Sequence, residues 1–382
     1  MKPTIGTLLR RAGAVLALSL AAAPALAQDG PLRLGLLLSL SGPAAPFGVP
    51  ERDAIQALAA ATNAQGGING RPIELVIYDD ATNPTEAVRG MRQLALQERV
   101  LAVVGSTIGS GTLAAAPIAA QAGVPVLAPN GTDAVISTDN AFFPWVFRTL
   151  PSDSLIGEAL LNRALAGDVQ RVALFYQEDA YGVGMHERLA DEAEERGIEI
   201  VASVSAPLTA TDVAPQATRI RNADPDVVLI QASAPALGAA FVRAARETGL
   251  EAPLWAAGAL AQQSFINAAG EAGNGVNLVM IANWSDPTPA LAEFAALLNE
   301  AGTPPQGFGE ILAANAYHAF TAALSSIDGE VTPATLREAL ERTCDIESYG
   351  EGFTCYSADN HEGWTSEAMV SAVVRDGAFR QP

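Results

Sequence analysis

Short apolar stretches alternate along the chain with longer ones in which apolar positions recur at helical spacing. Leu32–Leu38 reads as a near-continuous apolar strand. A helix is predicted over Glu51–Ala64, with Ile55, Leu58 and Thr62 on one face. A strand over Pro72–Tyr78 then runs into Asp79-Asp80. The helix Glu86–Glu98, the strand Leu101–Val104, the helix Thr112–Gln121 and the strand Val124–Ala128 complete a first series. After Arg148-Thr149-Leu150-Pro151 the pattern restarts, with a helix over Ser154–Leu165, a strand over Arg171–Tyr176, and a charged helix over Gly184–Arg196 stopped by Gly197. Strands follow at Ile198–Val204, Asp226–Ile230 and Leu254–Ala256, with the helix Ala236–Thr248 between the last two. Strand–helix–strand repeats at this spacing give right-handed crossovers and parallel sheets, so two α/β units are expected.

The last third extends neither series simply. Ala290–Ala301 and Ile311–Ser325 read as helices, and Thr332-Pro333 opens another with a hydroxyl cap and Pro at its first position. The tail reads as a hairpin, with strands Ala368–Val374 and Ala378–Arg380 around the turn Arg375-Asp376-Gly377.

Composition adds a compartment. Lys2, Arg10 and Arg11 precede an apolar run from Ala12 to about Ala23, and Pro24-Ala25-Leu26-Ala27 supplies small residues for cleavage. This is a signal peptide, residues 1–27, with the exported chain starting at Gln28. The run is too short to span a membrane comfortably, which takes about 20 apolar residues. The whole chain has 382 residues and a formal charge of −20; losing the three cations of the leader takes it to −23. So acidic a chain does not bind nucleic acid or anionic membrane nonspecifically. In an oxidising compartment Cys344 and Cys355 read as a structural disulfide, two separate buried thiols being the alternative.

The chemistry-bearing motifs are mostly negative. Gly109-Ser110-Gly111-Thr112-Leu113-Ala114 fits a dinucleotide fingerprint, but no acid follows about 20 residues on, where Val126-Leu127-Ala128-Pro129-Asn130 stands. His186, His318 and His361 lie too far apart for metal-ligand spacing. No nucleophile elbow, Cys/His pair or phosphate loop is present, so no cofactor, metal or catalysis is expected.

Four stretches carry a resemblance: Ser41-Gly42-Pro43 followed by Gly48; Asn63-Ala64-Gln65-Gly66-Gly67-Ile68-Asn69-Gly70-Arg71-Pro72-Ile73-Glu74-Leu75 reaching Asp79-Asp80; Val103-Val104-Gly105 with Ala115-Ala116-Pro117 and Gly123-Val124-Pro125-Val126; and Asp179-Ala180-Tyr181-Gly182. In order and spacing the chain resembles the leucine/isoleucine/valine-binding protein family, the type I periplasmic binding fold. That resemblance implies two Rossmann-like lobes with parallel sheets joined by a multi-strand hinge. The first lobe would take residues 31–149 plus 285–349, the second 150–284 plus 350–382. It implies a monomeric periplasmic component of an ABC importer that hands a small molecule to a membrane permease. A ligand sensor acting on a receptor is the rival reading. Gly66-Gly67 and Asn69-Gly70 would then serve a tight turn.

The resemblance also carries site residues. A ligand carboxylate would be held at Gly109, Ser110, Asn130, Gly131 and Thr132, with Ser here one place later than the family's at Gly109. Strand C-termini beside helix N-termini suit such an anion. Phe47 falls on the family's aromatic wall, Tyr181 on the tyrosine that closes over the ligand, and Ser233 on a second-lobe loop that lacks the family's aromatic. The family pairs a ligand ammonium with a Glu in the loop that here reads Ala257-Gly258-Ala259-Leu260, with no acid. Either Glu178, Asp179 or Glu310 takes that role, or the ligand has no ammonium, because a buried cation without counter-charge costs several kcal/mol.

Overall fold

The computed structural model describes residues 30–382, except 345, 347, 350–352, 354 and 366–368. The expected signal peptide lies outside the described residues, as does Ala368 of the expected hairpin. Among the described residues no helix is long and apolar enough to cross a membrane.

The first series folds as β1 (Leu32–Leu38), α1 (Ala45–Ala64), β2 (Ile73–Asp79), α2 (Pro84–Arg92), β3 (Ala102–Gly105), α3 (Gly109–Ala122), β4 (Val126–Ala128) and β5 (Val146–Arg148). Its five strands run parallel in the order β2-β1-β3-β4-β5. β1 lies inside this sheet, and all but one of its residues are buried, which is why it reads as a continuous apolar run. α1 begins six residues before its expected start. Pro46 near its N-terminus has a missing N–H that the helix would leave unbonded anyway. The turn into β2 has positive φ at Gly66, Gly67, Asn69 and Gly70, as expected.

The chain then builds α4 (Asp153–Ala164), β6 (Arg171–Gln177), α5 (Ala180–Glu195), β7 (Glu199–Ala206), α6 (Ala214–Asn222), β8 (Val227–Gln231), α7 (Pro235–Glu247), β9 (Leu254–Ala257), α8 (Gln263–Ala269) and β10 (Asn277–Met280). α9 (Pro289–Glu300), α10 (Gly309–Ser325) and α11 (Pro333–Leu340) follow, and β11 (Val370–Arg375) and β12 (Ala378–Arg380) end the chain. The second sheet has the order β12-β11-β10-β9-β8-β6-β7 and is parallel up to β10, where the antiparallel hairpin β11–β12 is added. α10 returns to pack along α1, where the Tyr317 hydroxyl donates to Thr62 Oγ1 at 2.7 Å. Thr332 caps α11 through the Thr335 N–H at 3.1 Å, with Pro333 opening the helix.

The passage from β5 into α4 is braced by the C-terminal segment. The Arg148 N–H donates to the His361 carbonyl at 2.8 Å, and the Ser152 N–H donates to Glu362 Oε1 at 2.8 Å. His361 is fully buried and stacks on Phe147 with ring centres 3.9 Å apart and on Phe143 at 4.4 Å.

Cys344 and Cys355 are joined, 11 positions apart in sequence. In the chain-entropy account, closing a loop of that size stabilises the fold by about 3 kcal/mol. Replacing both cysteines with Ser is therefore expected to lower the unfolding free energy by that amount in urea titrations. Dithiothreitol should do the same to the parent and nothing to the variant. An unchanged midpoint would show that the bridge constrains nothing the fold does not already hold.

Candidate functional site

The carboxyl ends of β1, β3 and β4 face the start of α4 and α5 across a cavity. Its empty space, open solvent at its mouth included, is about 530 Å³. Phe47, Ile108, Leu150, Ile156, Phe308 and Leu312 give it apolar walls. Of the residues expected to hold a ligand, Phe47, Gly109, Asn130, Gly131, Thr132, Tyr181 and Ser233 line it. Ser110 and Gly258 do not, although their neighbours Gly109, Ala257 and Ala259 do.

The loop expected at Ile108–Gly111 is largely helix. α3 starts at Gly109 behind Ile108, whose backbone is extended and whose side chain cannot cap. Among the described residues no protein acceptor takes the Gly109, Ser110 and Gly111 N–H groups, and Gly109, which lines the cavity, brings the positive end of the helix dipole to it. Thr132 adds a hydroxyl that is buried and unpartnered. Asn130 is differently placed. Its amide nitrogen donates to the Ser106 carbonyl and to Thr112 Oγ1, both at 3.0 Å, and its buried Oδ1 has no partner. It therefore ties the loop to α3 as well as lining the cavity.

The displaced serine has a steric cause. A Cβ on Gly109 would lie 2.1 Å from Thr132 Oγ1, so the threonine occupies the room a side chain at 109 would need. Gly109→Ser is expected to push the Thr132 hydroxyl aside and weaken carboxylate binding by about tenfold, on the order of 1–2 kcal/mol. Calorimetric titration would check this; equal or tighter binding would show that Thr132 is not a ligand donor.

Tyr181 sits not in a loop but in the first turn of α5, which begins four residues earlier than expected. Asp179 caps that helix, accepting from the Gly182 N–H at 3.0 Å. Burial, then the carboxylates of Asp153 and Asp179, push the Tyr181 phenol well above its usual range, so it remains a hydrogen-bond donor at neutral pH. Ser233 is held by Gln177, whose Nε2 donates to Ser233 Oγ at 2.8 Å and whose Oε1 accepts from the Ser233 N–H at 2.7 Å.

None of the three acids expected to face an ammonium lines the cavity. Glu178 is exposed and accepts from Ser205 Oγ at 2.8 Å. Asp179 is taken up by the cap and by Gln177. Glu310, buried in the first turn of α10, accepts from the N–H groups of Gln306 and Gly307. At Gly258 a Cβ would meet the Val279 carbonyl oxygen and Met280 Cα at 3.0 Å, so that position faces the backbone of β10 rather than the cavity. The acid that does line the cavity is Asp153, first residue of α4 and 3% exposed, which sequence reading passed over as part of the passage between the sheets. Thr107 was also missed. Its hydroxyl accepts from the Ser39 N–H at 3.0 Å and donates to Glu51 Oε2 at 2.6 Å.

Two α/β lobes with a cavity between their strand ends, lined by anion donors, define a ligand-binding protein rather than a scaffold. The chain belongs to the periplasmic binding protein family, whose pattern matches residues 31–378. It is similar to the Leu/Ile/Val-binding protein of Escherichia coli K12, 26% identical over 267 residues that cover 70% of this chain and 71% of that one. It is also similar to the leucine-, isoleucine-, valine-, threonine-, and alanine-binding protein of Pseudomonas aeruginosa, 25% identical over 336 residues and 87% of each chain. Among solved structures, an extracellular ligand-binding receptor from Rhodopseudomonas palustris HaA2 superposes with a TM-score of 0.82 at 24% identity, covering 92% of this chain and all of that one. A branched-chain amino acid transporter substrate-binding protein of Streptococcus pneumoniae, in complex with isoleucine, gives 0.78 at 21%, covering 91% and 97%. At these identities the structures establish the fold: the type I periplasmic binding arrangement.

Proposed function

We propose that this protein captures a small carboxylate-bearing molecule between its lobes and delivers it to the membrane permease of an ABC importer, without chemical turnover. The observation that carries the reading is the meeting of the Gly109 N–H, at the start of α3, and the unpartnered Thr132 hydroxyl on a cavity with apolar walls. Such donors suit a carboxylate, and the walls suit an aliphatic or aromatic remainder. The relatives named for leucine, isoleucine and valine support a ligand of that size. Residues 31–149 with 285–349 form one lobe in this reading, and 150–284 with 350–382 the other. Ligand binding favours the closed pair by hinge motion at the passage from β5 to α4. The protein works as a monomer in the periplasm after cleavage behind Ala27.

The test is equilibrium binding by the protein purified from the periplasm, freed of carried-over ligand by unfolding and refolding. Leucine, phenylalanine and their deaminated acids are the probes. At 100 times its dissociation constant a ligand should stabilise the fold by about 2.7 kcal/mol, visible as a raised Tm. Esterifying the carboxylate should abolish the shift. An ester that binds as well as its acid would overturn the reading.

A further inference from the structure

A buried acid stands directly behind the cavity wall. Glu51 lies one turn after Phe47 on α1, fully buried, with its Oε2 at 2.6 Å from the Thr107 hydroxyl. Thr107 belongs to the loop between β3 and α3, two residues before Gly109, and lines the cavity with it. Among the described residues that hydroxyl is the one donor to Glu51, and Oε1 has no partner. Asp80, buried nearby, accepts from the Ser39 and Ser106 hydroxyls, both at 2.6 Å, and from the Thr82 N–H at 2.9 Å. Three donors suit a buried carboxylate; a single one suits a neutral carboxyl.

The charged groups that face Glu51 are acids. Asp80 approaches from the end of β2 and Glu310 from the first turn of α10. On α1 itself the neighbouring Arg52 is paired with Asp53 at 2.6 Å. Burial pushes the Glu51 carboxyl up to about 8; Asp80 and Glu310 add to the rise, and the Thr107 hydrogen bond pulls against it.

That proton decides what Thr107 can do. A threonine hydroxyl has one hydrogen to donate and two lone pairs with which to accept. One lone pair takes the Ser39 N–H at 3.0 Å. Facing an ionised Glu51, the hydroxyl must give its hydrogen to the carboxylate. Facing a protonated Glu51, it can accept the carboxyl O–H on its second lone pair, which frees its own hydrogen. A separation of 2.6 Å serves either direction.

We propose that Thr107 is a further donor to the ligand's carboxylate, and that Glu51 is the positioning residue that frees its hydrogen by staying protonated behind it. The proposal rests on the carboxylate-capture reading and adds a donor and its control. The proton stays on Glu51, its O–H turned towards Thr107 Oγ1, and the ligand carboxylate accepts from Thr107. Ionising Glu51 withdraws that donor and sets a second negative charge behind the ligand's own. Binding therefore favours the protonated form, and affinity falls as pH rises through the range in which Glu51 ionises.

The experiment is calorimetric titration of the parent and of Glu51→Gln at pH 6, 7, 8 and 9. The probes are leucine, phenylalanine, 4-methylpentanoate and 3-phenylpropanoate. For any one probe, the ratio of parent to variant affinity cancels the titration of the ligand itself and of other cavity groups such as Asp153. That ratio should be level from pH 6 to pH 7 and fall about tenfold between pH 7 and pH 9, because the amide can donate to Thr107 at every pH. Thr107→Val should lose about tenfold in affinity at pH 7, and Thr107→Ser, which keeps the hydroxyl, should recover most of it. A ratio that stays level to pH 9, as a merely structural Glu51 would give, overturns the relay while carboxylate capture stands. Thr107→Val that binds as tightly as the parent does the same. If no probe binds the parent at any pH, carboxylate capture falls and the relay falls with it.

Discussion

Replacing Arg148 with Met is expected to destabilise the protein by about 2–3 kcal/mol. The guanidinium is 1% exposed, and what surrounds it is almost entirely acceptor. It donates to the Thr132 carbonyl at 2.9 Å and approaches Glu362 and Asp133. A thioether of similar length fills the space but leaves the buried Thr132 carbonyl without its donor and the partly exposed Asp133 and Glu362 without their counter-charge. The cost lies chiefly in the Thr132 carbonyl, which loses a charged donor at a buried position, because water reaches the two acids in part. The same side chain supports the ligand loop and the passage between lobes, so ligand affinity should fall with stability. Arg148→Lys keeps the charge without the planar fork and should recover part of the loss. Urea unfolding followed by circular dichroism measures it. A loss below about 1 kcal/mol would mean that the cluster behaves as a solvated surface pair.

The long periodic elements were legible from sequence because their own patterns specify them. β1 and α10 are apolar almost throughout and were placed within a residue or two. Apart from α6, a nine-residue helix, the omissions are elements too short to show a period. β5 has three residues, Val146-Phe147-Arg148, and is a strand only because β4 offers it a parallel edge. β10 and α8 have four and seven, and β10 exists because β9 lies on one side and the C-terminal hairpin on the other. Helix starts were placed late at α1, α2, α3, α7, α9 and α10, where Gly or Pro stands at or next to the first position, while α11, opened by Pro333, was placed correctly. Gly109-Ser110-Gly111 reads as loop by propensity, yet side chains at the two glycines would collide with Thr132 and Ser106, so the helix requires what propensity counts against it.

Thr132, Phe47 and Tyr181, reached through the resemblance, all line the cavity. The site was not legible at Asp153. In sequence, Ser152-Asp153 is an ordinary helix start, Ser152 Oγ accepting from the Leu155 N–H at 3.1 Å. What turns Asp153 into a cavity residue is the bond from its N–H to Gly131, 22 positions back, and local pattern holds no trace of such a contact. The three acids chosen instead were near the right loops, but backbone N–H groups and neighbouring side chains already satisfy them. Which acid is free is a question of hydrogen-bond accounting, answered only when every partner is placed.

Glu51→Gln is expected to stabilise the protein, by an amount that grows from nothing near pH 4.5 to about 5 kcal/mol near pH 8. Glu51 is fully buried in α1 beneath the cavity; Oε2 accepts from the Thr107 hydroxyl and Oε1 has no partner. Burial, with smaller contributions from the carboxylates of Asp80 and Glu310, pushes its carboxyl up to about 8 from an ordinary 4.5. An unfolded chain loses this proton near 4.5, while the folded one keeps it until about 8. Between those values the folded state binds one proton more, so stability falls as pH rises through the window, at about 1.4 kcal/mol per unit. The amide binds no proton in either state, so the variant's advantage should follow that slope and level off above pH 8. It should be offset by a small constant if the amide serves Thr107 less well. Urea unfolding of both proteins at pH 4.5, 6, 7 and 8 gives the difference directly. A difference that does not change with pH would mean that Glu51 is ionised in the folded protein, and that water or a cation reaches Oε1.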